Sequence, residues 1–190
     1  MLSTGGPKPD LTPEEGRQKI TAGLRAASAY GKKIGLCVTT ENHGGQAQFR
    51  GRLEQMLSFM AGAPDLSITF DDGNFLLGGD DPMQALERLW ERVVHVHLKD
   101  YKAFPAPTPV PAGGPGAAAA PAPGGYPVPE RPGYVYRSVL LGNGEVPTEA
   151  ILTFLREKGY RGYLSVENGG DIPGTAGVTA ALTYLRERVS

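Results

Sequence analysis

Four ionisable residues, Glu41, Asp71, His97 and Glu167, occupy the same place in a pattern that recurs along this chain of 190 residues. The pattern is clearest in Val93-Val94-His95-Val96-His97-Leu98-Lys99-Asp100, which alternates strictly. Successive side chains of an extended strand point to opposite faces. Val94, Val96 and Leu98 therefore share one face and His95, His97 and Lys99 the other, so that face gathers two of the chain's three histidines. Three further stretches obey the same rule. Ile34 to Thr40 sets Ile34, Leu36 and Val38 against Gly35, Cys37 and Thr39, with Glu41 following. Leu66 to Phe70 sets Leu66, Ile68 and Phe70 against Ser67, Thr69 and Asp71. Gly162 to Val166 sets Leu164 and Val166 against Tyr163, Ser165 and Glu167.

Two glutamates, an aspartate and an imidazole make an oxygen-rich set of four ligands. Carboxylates brought close together repel one another, and a divalent cation relieves that repulsion. The oxygen and nitrogen donors suit Mn²⁺, Mg²⁺ or Co²⁺, with Zn²⁺ also admissible. A single glutamate at a strand end is commonly a salt-bridge partner. Four such residues in one phase on four strands point to a shared site.

The elements that must position these groups alternate between strand and helix. Thr12-Pro13-Glu14-Glu15 reads as an N-cap, a proline in the first turn and acidic residues that favour a helix start. That helix is expected to reach about Tyr30 and stop at Gly31. Further helices are expected over Gln46 to Met60, Pro82 to Arg92, Pro147 to Lys158 and Thr175 to Val189. Alternating strands and helices imply parallel βα units. In a β/α barrel the aliphatic parity packs on the helices, and catalytic groups collect at the carboxyl ends of the strands. Glu41, Asp71, His97 and Glu167 should then converge, within an inner face of Gly, Cys, Ser, Thr and His that leaves a roomy polar pocket.

The motifs Glu41-Asn42-His43, Asp71-Asp72-Gly73-Asn74, His95 to Asp100, Leu141 to Val146 and Gly159 to Glu167 occur in one order. In that order they resemble the xylose isomerase-like TIM barrels, and most closely the sugar phosphate isomerase/epimerase group. The resemblance runs from Thr12 to the C-terminus, apart from Ala103 to Gly133. It implies that Glu41, Asp71, His97 and Glu167 bind one divalent metal and that Glu41 and Glu167 move protons on opposite faces of a sugar. The reaction implied is proton abstraction beside a carbonyl through a metal-stabilised enediolate. One glutamate would need a pKa near neutrality. A substrate contact by Asn74 is implied in the same way, its alternative being a turn residue after Gly73. His43, in the loop over the pocket, is a candidate substrate contact or a surface histidine. Lys99 faces inward and is a candidate for an oxyanion, against an ion pair with Glu167 or Asp71. His95 reads as a satisfied core histidine, and Asp100 as a residue that orients Lys99 or a loop.

The fold expected is thus α/β, a parallel barrel of xylose isomerase-like type and incomplete. A complete barrel has eight strands and about 250 residues. The recognisable motifs match the C-terminal half, with Tyr134 to Val139 as a fifth candidate strand, and an absent amino half is expected. One domain spans residues 1–190. Within it Ala103 to Gly133, holding ten of the chain's 17 prolines, reads as a disordered Pro/Ala/Gly-rich insertion. A half barrel leaves open sheet edges, which calls for a homodimer or a complementing N-terminal half-barrel.

Composition narrows the class. A net charge of −1 gives no long-range attraction to nucleic acid or an anionic membrane. No apolar run approaches the ~18–20 residues of a membrane span, and Met1 to Asp10 lacks the apolar core of a signal peptide. The single cysteine, Cys37, excludes an internal disulfide, makes the cytoplasm the default compartment, and reads as a buried apolar filler in mid-strand. An endonuclease IV-like phosphodiesterase needs a histidine-rich three-metal cluster that three histidines cannot supply. Three readings remain: a metal-dependent sugar or polyol isomerase or epimerase, a dehydratase of inosose or dehydroshikimate type, and a non-catalytic half-barrel relic or interaction module.

Overall fold

The computed structural model describes residues 1–2, 10–43, 50–107, 124–129, 131–167 and 171–189. The expected helix start at Gln46, with Phe49, and the middle of the proline-rich segment lie outside the described residues.

Helix α1 (Pro13–Lys33) opens as its sequence predicts. The Thr12 hydroxyl accepts the Glu15 N–H, and the Glu15 carboxylate accepts the Thr12 N–H at 2.9 Å, a reciprocal capping box. The helix does not stop at Gly31 but runs through it to Lys33. It ends where Gly35 takes a φ of +75° and the Leu36 N–H reaches back to the Gly31 carbonyl at 2.8 Å. That is a Schellman turn, which needs a left-handed residue at Gly35. Because residues 34–36 are taken up in the turn, β1 is only Thr39–Glu41 and not the stretch from Ile34. Ile34, Leu36 and Cys37 are exposed, so Cys37 is neither in mid-strand nor a core filler.

The chain continues through α2 (Leu53–Gly62), β2 (Ser67–Asp71), α3 (Asp72–Gly78) and α4 (Pro82–Leu89). A 3₁₀ turn over Trp90–Arg92 leads to β3 (Val93–Leu98). After it come β4 (Asp100–Pro105), β5 (Tyr126–Pro127), β6 (Tyr134–Val139), α5 (Thr148–Glu157), β7 (Tyr163–Val166) and α6 (Gly174–Val189). Strands β1, β2, β3 and β7 form one four-stranded sheet in that order, all parallel. Their aliphatic parity faces the helices. Ile68, Phe70, Val96 and Leu98 are buried with Met56 and Phe59 of α2, Leu86 and Leu89 of α4, and Ile151 of α5. Val94 departs from the rule and is exposed near the amino end of β3. Leu2 adds a parallel bridge to Thr40 on the β1 edge, and Tyr163 on the β7 edge is 81% exposed.

The fifth candidate strand, Tyr134 to Val139, does not join the parallel sheet. It pairs antiparallel with β4 and β5 in a separate three-stranded sheet that rises directly from the end of β3. The ends of the segment read as a disordered insertion are therefore ordered: Ala103 pairs with Tyr136, Pro105 with Tyr134, and Tyr126 with Tyr136. Tyr101, Tyr136 and Leu77 form its buried apolar cluster, with Tyr126 edge-on to Tyr101 at 5.9 Å. Aromatic pairing against α3 supplies the packing that the proline and alanine content conceals. Among the described residues no helix is long and apolar enough to cross a membrane.

Two helical glycines of α1, Gly23 and Gly31, should respond oppositely to alanine. A Cβ at Gly23 meets nothing within 4 Å, whereas one at Gly31 would lie 2.6 Å from Val38 Cγ2 and 2.9 Å from the Leu36 carbonyl oxygen. Gly23→Ala should stabilise by roughly 0.5–1 kcal/mol, and Gly31→Ala should destabilise by about 1–3 kcal/mol. Urea denaturation midpoints read both; a stabilised Gly31→Ala would contradict the close approach.

Candidate metal centre

The parallel register brings the four strand ends side by side. Asp71 is paired with His97, His97 with Ser165, and the β1–β2 ladder ends at Glu41 opposite Thr69. Glu167 follows β7 directly, and its N–H bonds the Leu98 carbonyl at 2.9 Å, which continues the ladder by one step. One ligand-type atom from each of Glu41, Asp71, His97 and Glu167 lies within 4.8 Å of every other. His97 Nδ1 is 3.0 Å from Glu41 Oε1, 2.9 Å from Glu167 Oε1 and 3.9 Å from Asp71 Oδ2. Glu41 and Asp71 are buried, while the Glu167 side chain is 40% exposed, so the cluster opens on the Glu167 side.

Lys99 adds a second cation. Its Nζ stands 2.7 Å from Asp71 Oδ2 and 2.8 Å from Glu167 Oε2, so the ion pairs weighed for it from sequence both form. The lysine is fixed from behind by the buried Asp72, which accepts the Lys99 N–H at 3.0 Å. Gly73 is required beside it, because a Cβ there would lie 2.6 Å from Lys99 Cγ and 2.9 Å from the Tyr101 ring. Asp100 orients a loop. Its carboxylate accepts N–H bonds from Tyr101, Gly142, Gly144 and Val146, stapling Gly142-Asn143-Gly144 onto the exit of β3.

The charges are mutually determined. Hydrogen bonds to Glu167 and Glu41 push the His97 imidazole up to about 10. The reciprocal bond from His97 holds the Glu167 carboxyl down at about 2, against its burial and with help from Lys99. Burial alone would raise Glu41, yet the bond and charge of His97 keep it below its ordinary value. Neither glutamate therefore has the near-neutral pKa expected for a proton carrier while His97 holds its proton between them. Burial instead pushes Asp71 up to about 7, outweighing the nearby Lys99 and the Asn74 N–H. Burial would likewise lower Lys99, but Asp71 and Glu167 hold its ammonium well up.

The remaining expectations divide. His95 is a satisfied histidine: its Nε2 is 2.7 Å from Ser165 Oγ and its ring stands edge-on to His97. His43 is exposed beside the site, tied through its N–H to the Arg50 carbonyl. Asn74 is buried in the first turn of α3, where its N–H donates to Asp71 Oδ1 and its Nδ2 donates to the Asn42 carbonyl. Sequence reasoning missed Asn42 and Asp72, both fully buried, and the helix α3 that Asp71 caps. The run Asp71-Asp72-Gly73-Asn74 carried the signal for that helix, since an aspartate followed by a residue whose N–H it can accept three positions on is an N-cap pattern.

Whether the donor set fits a cation is decided by its charge, since three carboxylates share one imidazole and one ammonium. Asp71 Oδ2 is buried and faces the other ligand atoms, with the Lys99 ammonium 2.7 Å away and His97 Nδ1 at 3.9 Å. A divalent cation at this point would take over from the His97 proton and the Lys99 ammonium as the charge that offsets the three carboxylates. Three carboxylates and an imidazole around that oxygen could hold one divalent ion.

A family model described as xylose isomerase-like TIM barrel matches residues 1–188. An inosose dehydratase of Lacticaseibacillus casei is 24% identical over 161 residues, covering 84% of this chain and 49% of that protein. Inosose dehydratase 1 of Bacillus cereus is 27% identical over the same length and shares. The chain spans about half the length of the curated relatives it matches. Among solved structures, the probable 3-DHS dehydratase AsbF of Bacillus anthracis superposes with a TM-score of 0.64 at 21% identity, covering 94% of this chain and 59% of that one. The 3-keto-D-glucoside 4-epimerase YcjR of E. coli gives 0.63 at 18% identity, covering 95% and 57%. The IOLI protein with a bound zinc atom gives 0.65 at 17% identity, covering 100% and 60%. The parallel sheet, its strand-end cluster and the match over nearly the whole length agree: this chain belongs to the xylose isomerase-like TIM barrel family.

Proposed function

We propose that the chain carries the metal centre of an enzyme that moves a proton beside a carbonyl of a sugar or polyol. The observation that carries this reading is the convergence of four ligand-type atoms, one each from Glu41, Asp71, His97 and Glu167, within 4.8 Å of one another. Glu41, Asp71, His97 and Glu167 would hold one divalent cation, Mn²⁺, Mg²⁺ or Co²⁺, with Zn²⁺ admissible. When bound, that cation supplies Lewis acidity toward the oxygens of a carbonyl and its neighbouring hydroxyl.

The residues of this chain supply the rest. A carboxylate of Glu41 or Glu167 takes the proton from the carbon beside the carbonyl, and the electron pair moves into the enediolate. For an epimerisation the second glutamate enters the cycle protonated and delivers that proton to the same carbon from the opposite face. For an isomerisation the first glutamate returns its proton to the former carbonyl carbon while the neighbouring hydroxyl proton passes to the former carbonyl oxygen. That sequence is an isomerisation or an epimerisation. Lys99, held between Asp71 and Glu167, stays protonated and presents its charge to a substrate oxyanion, and His43 stands at the exposed rim. A dehydratase needs the same first step, followed by loss of a hydroxyl from the next carbon as that oxygen gains a proton. This second reading is favoured by the relatives named inosose dehydratase and the neighbour named 3-DHS dehydratase.

The protein supplemented with Mn²⁺ should turn over a member of a panel of ketoses, inososes and dehydroshikimate, the product distinguishing the two chemistries. Glu41→Gln and Glu167→Gln should each lower turnover by about 10²- to 10⁴-fold with the circular dichroism spectrum unchanged. A folded protein that neither binds Mn²⁺ nor converts any of these would favour the non-catalytic reading.

Metal binding should also depend on pH with a definite sign. His97 can give Nδ1 to a cation only by losing the proton it holds up to about pH 10. Raising the pH removes the competing proton, so Mn²⁺ affinity should rise between pH 6 and pH 8, by about tenfold per unit for the His97 proton and more steeply below about pH 7, where the Asp71 carboxyl also holds one. Calorimetry in two buffers of different ionisation enthalpy reads the protons released. A pH-independent affinity with no proton release would count against His97 as a ligand.

A further inference from the structure

The β1–β2 ladder ends at Glu41 opposite Thr69, yet the two chains stay locked for one residue more. Asn42, wholly buried, turns its side chain to Asp71. Its Nδ2 donates to the Asp71 carbonyl at 2.8 Å, and its Oδ1 accepts the Asp71 N–H at 2.9 Å. A carboxamide offers one acceptor and one donor side by side, as a peptide unit does. Here it takes the part of a further rung of sheet. The rung is held in turn from α3, where Asn74 Nδ2 donates to the Asn42 carbonyl at 2.9 Å while the Asn74 N–H donates to Asp71 Oδ1 at 2.8 Å.

The place of this rung matters more than its strength. Asn42 follows Glu41 directly and grips the backbone of Asp71, so it sits between the two buried carboxylates of the cluster. Asp71 Oδ1 is used by the Asn74 N–H, and Oδ2 is thereby turned toward His97 and Lys99. Neither asparagine touches the ligand atoms of Glu41 or His97 in any bond described.

We propose that Asn42, braced by Asn74, is a positioning residue that fixes the spacing and orientation of Glu41 and Asp71 for cation binding. Asn74 then serves the strut, its donor group being committed to Asn42, rather than reading the substrate. The inference rests on the metal-site reading above.

Mn²⁺ titration by calorimetry, with thermal melting of the metal-free protein alongside, tests it without any turnover. Outer-sphere partners of metal ligands typically cost about 10- to 100-fold in affinity when removed. Asn42→Ala should weaken Mn²⁺ binding by about that factor. Asn74→Ala should weaken it in the same direction and serves where Asn42→Ala does not fold. Ile151→Val, buried in α5 away from the cluster, provides a destabilised control whose Mn²⁺ affinity should be unchanged. If both asparagine variants bind Mn²⁺ as tightly as the parent while melting lower, the strut is merely structural and the proposal falls. If the parent itself binds no Mn²⁺, the metal reading fails first and takes the proposal with it.

Discussion

Like-charge crowding is the constraint on which the strand-end cluster depends. Three carboxylates, Glu41, Asp71 and Glu167, lie around a single imidazole nitrogen, with the ammonium of Lys99 bridging two of them. Removing carboxylates from water is tolerable only where opposite charge or hydrogen bonds replace hydration. Glu167 obtains both from His97 and Lys99, and Glu41 obtains them from His97. Asp71 has one oxygen bonded to the Asn74 N–H and the other 2.7 Å from the Lys99 ammonium, yet burial still pushes its carboxyl up to about 7. The cluster is thus balanced by the His97 proton and the Lys99 ammonium.

The rest of the fold can be read as what keeps these groups from moving apart. Parallel pairing places Asp71 beside His97 and His97 beside Ser165, and backbone hydrogen bonds set those separations. Short side chains on the inner parity leave room for the cluster: Thr39 and Thr69 bond each other at 2.9 Å below Glu41, and Ser165 holds His95 below His97. The aliphatic parity ties the same strands to α2, α4 and α5. Beyond the strand ends, carboxylates act as backbone clamps. Asp72 holds the Lys99 N–H and Asp100 holds four N–H groups, so the antiparallel sheet and the Gly142–Val146 loop rise from β3 in fixed positions. Gly144 belongs there because a Cβ would collide with the Asp100 carboxylate and the Tyr101 carbonyl.

The convergence of Glu41, Asp71, His97 and Glu167 was legible in sequence because a period of two is a local property. Parity alone assigns each residue to a face, and the alternation of strand with helix orders the strands. What parity cannot carry was missed. Ile34 to Val38 alternates like a strand, yet the left-handed Gly35 and the close approach at Gly31 turn those residues into a helix terminus. The sheet of β4, β5 and β6 was hidden because its stability comes from contacts between Tyr101, Tyr126, Tyr136 and Leu77, residues far apart in sequence. Asn42 gave no periodic signal at all. Its role arises only where its amide meets the backbone of another strand.

Diffraction from crystals soaked in MnCl₂, with anomalous data collected near the manganese edge, bears most directly on the cluster as a cation site. One peak bonded to Glu41, Asp71, His97 and Glu167 together, with Lys99 displaced toward the Glu167 side or left in place, is the expected result. A cluster that shows no peak, or a peak that engages other residues, would contradict it.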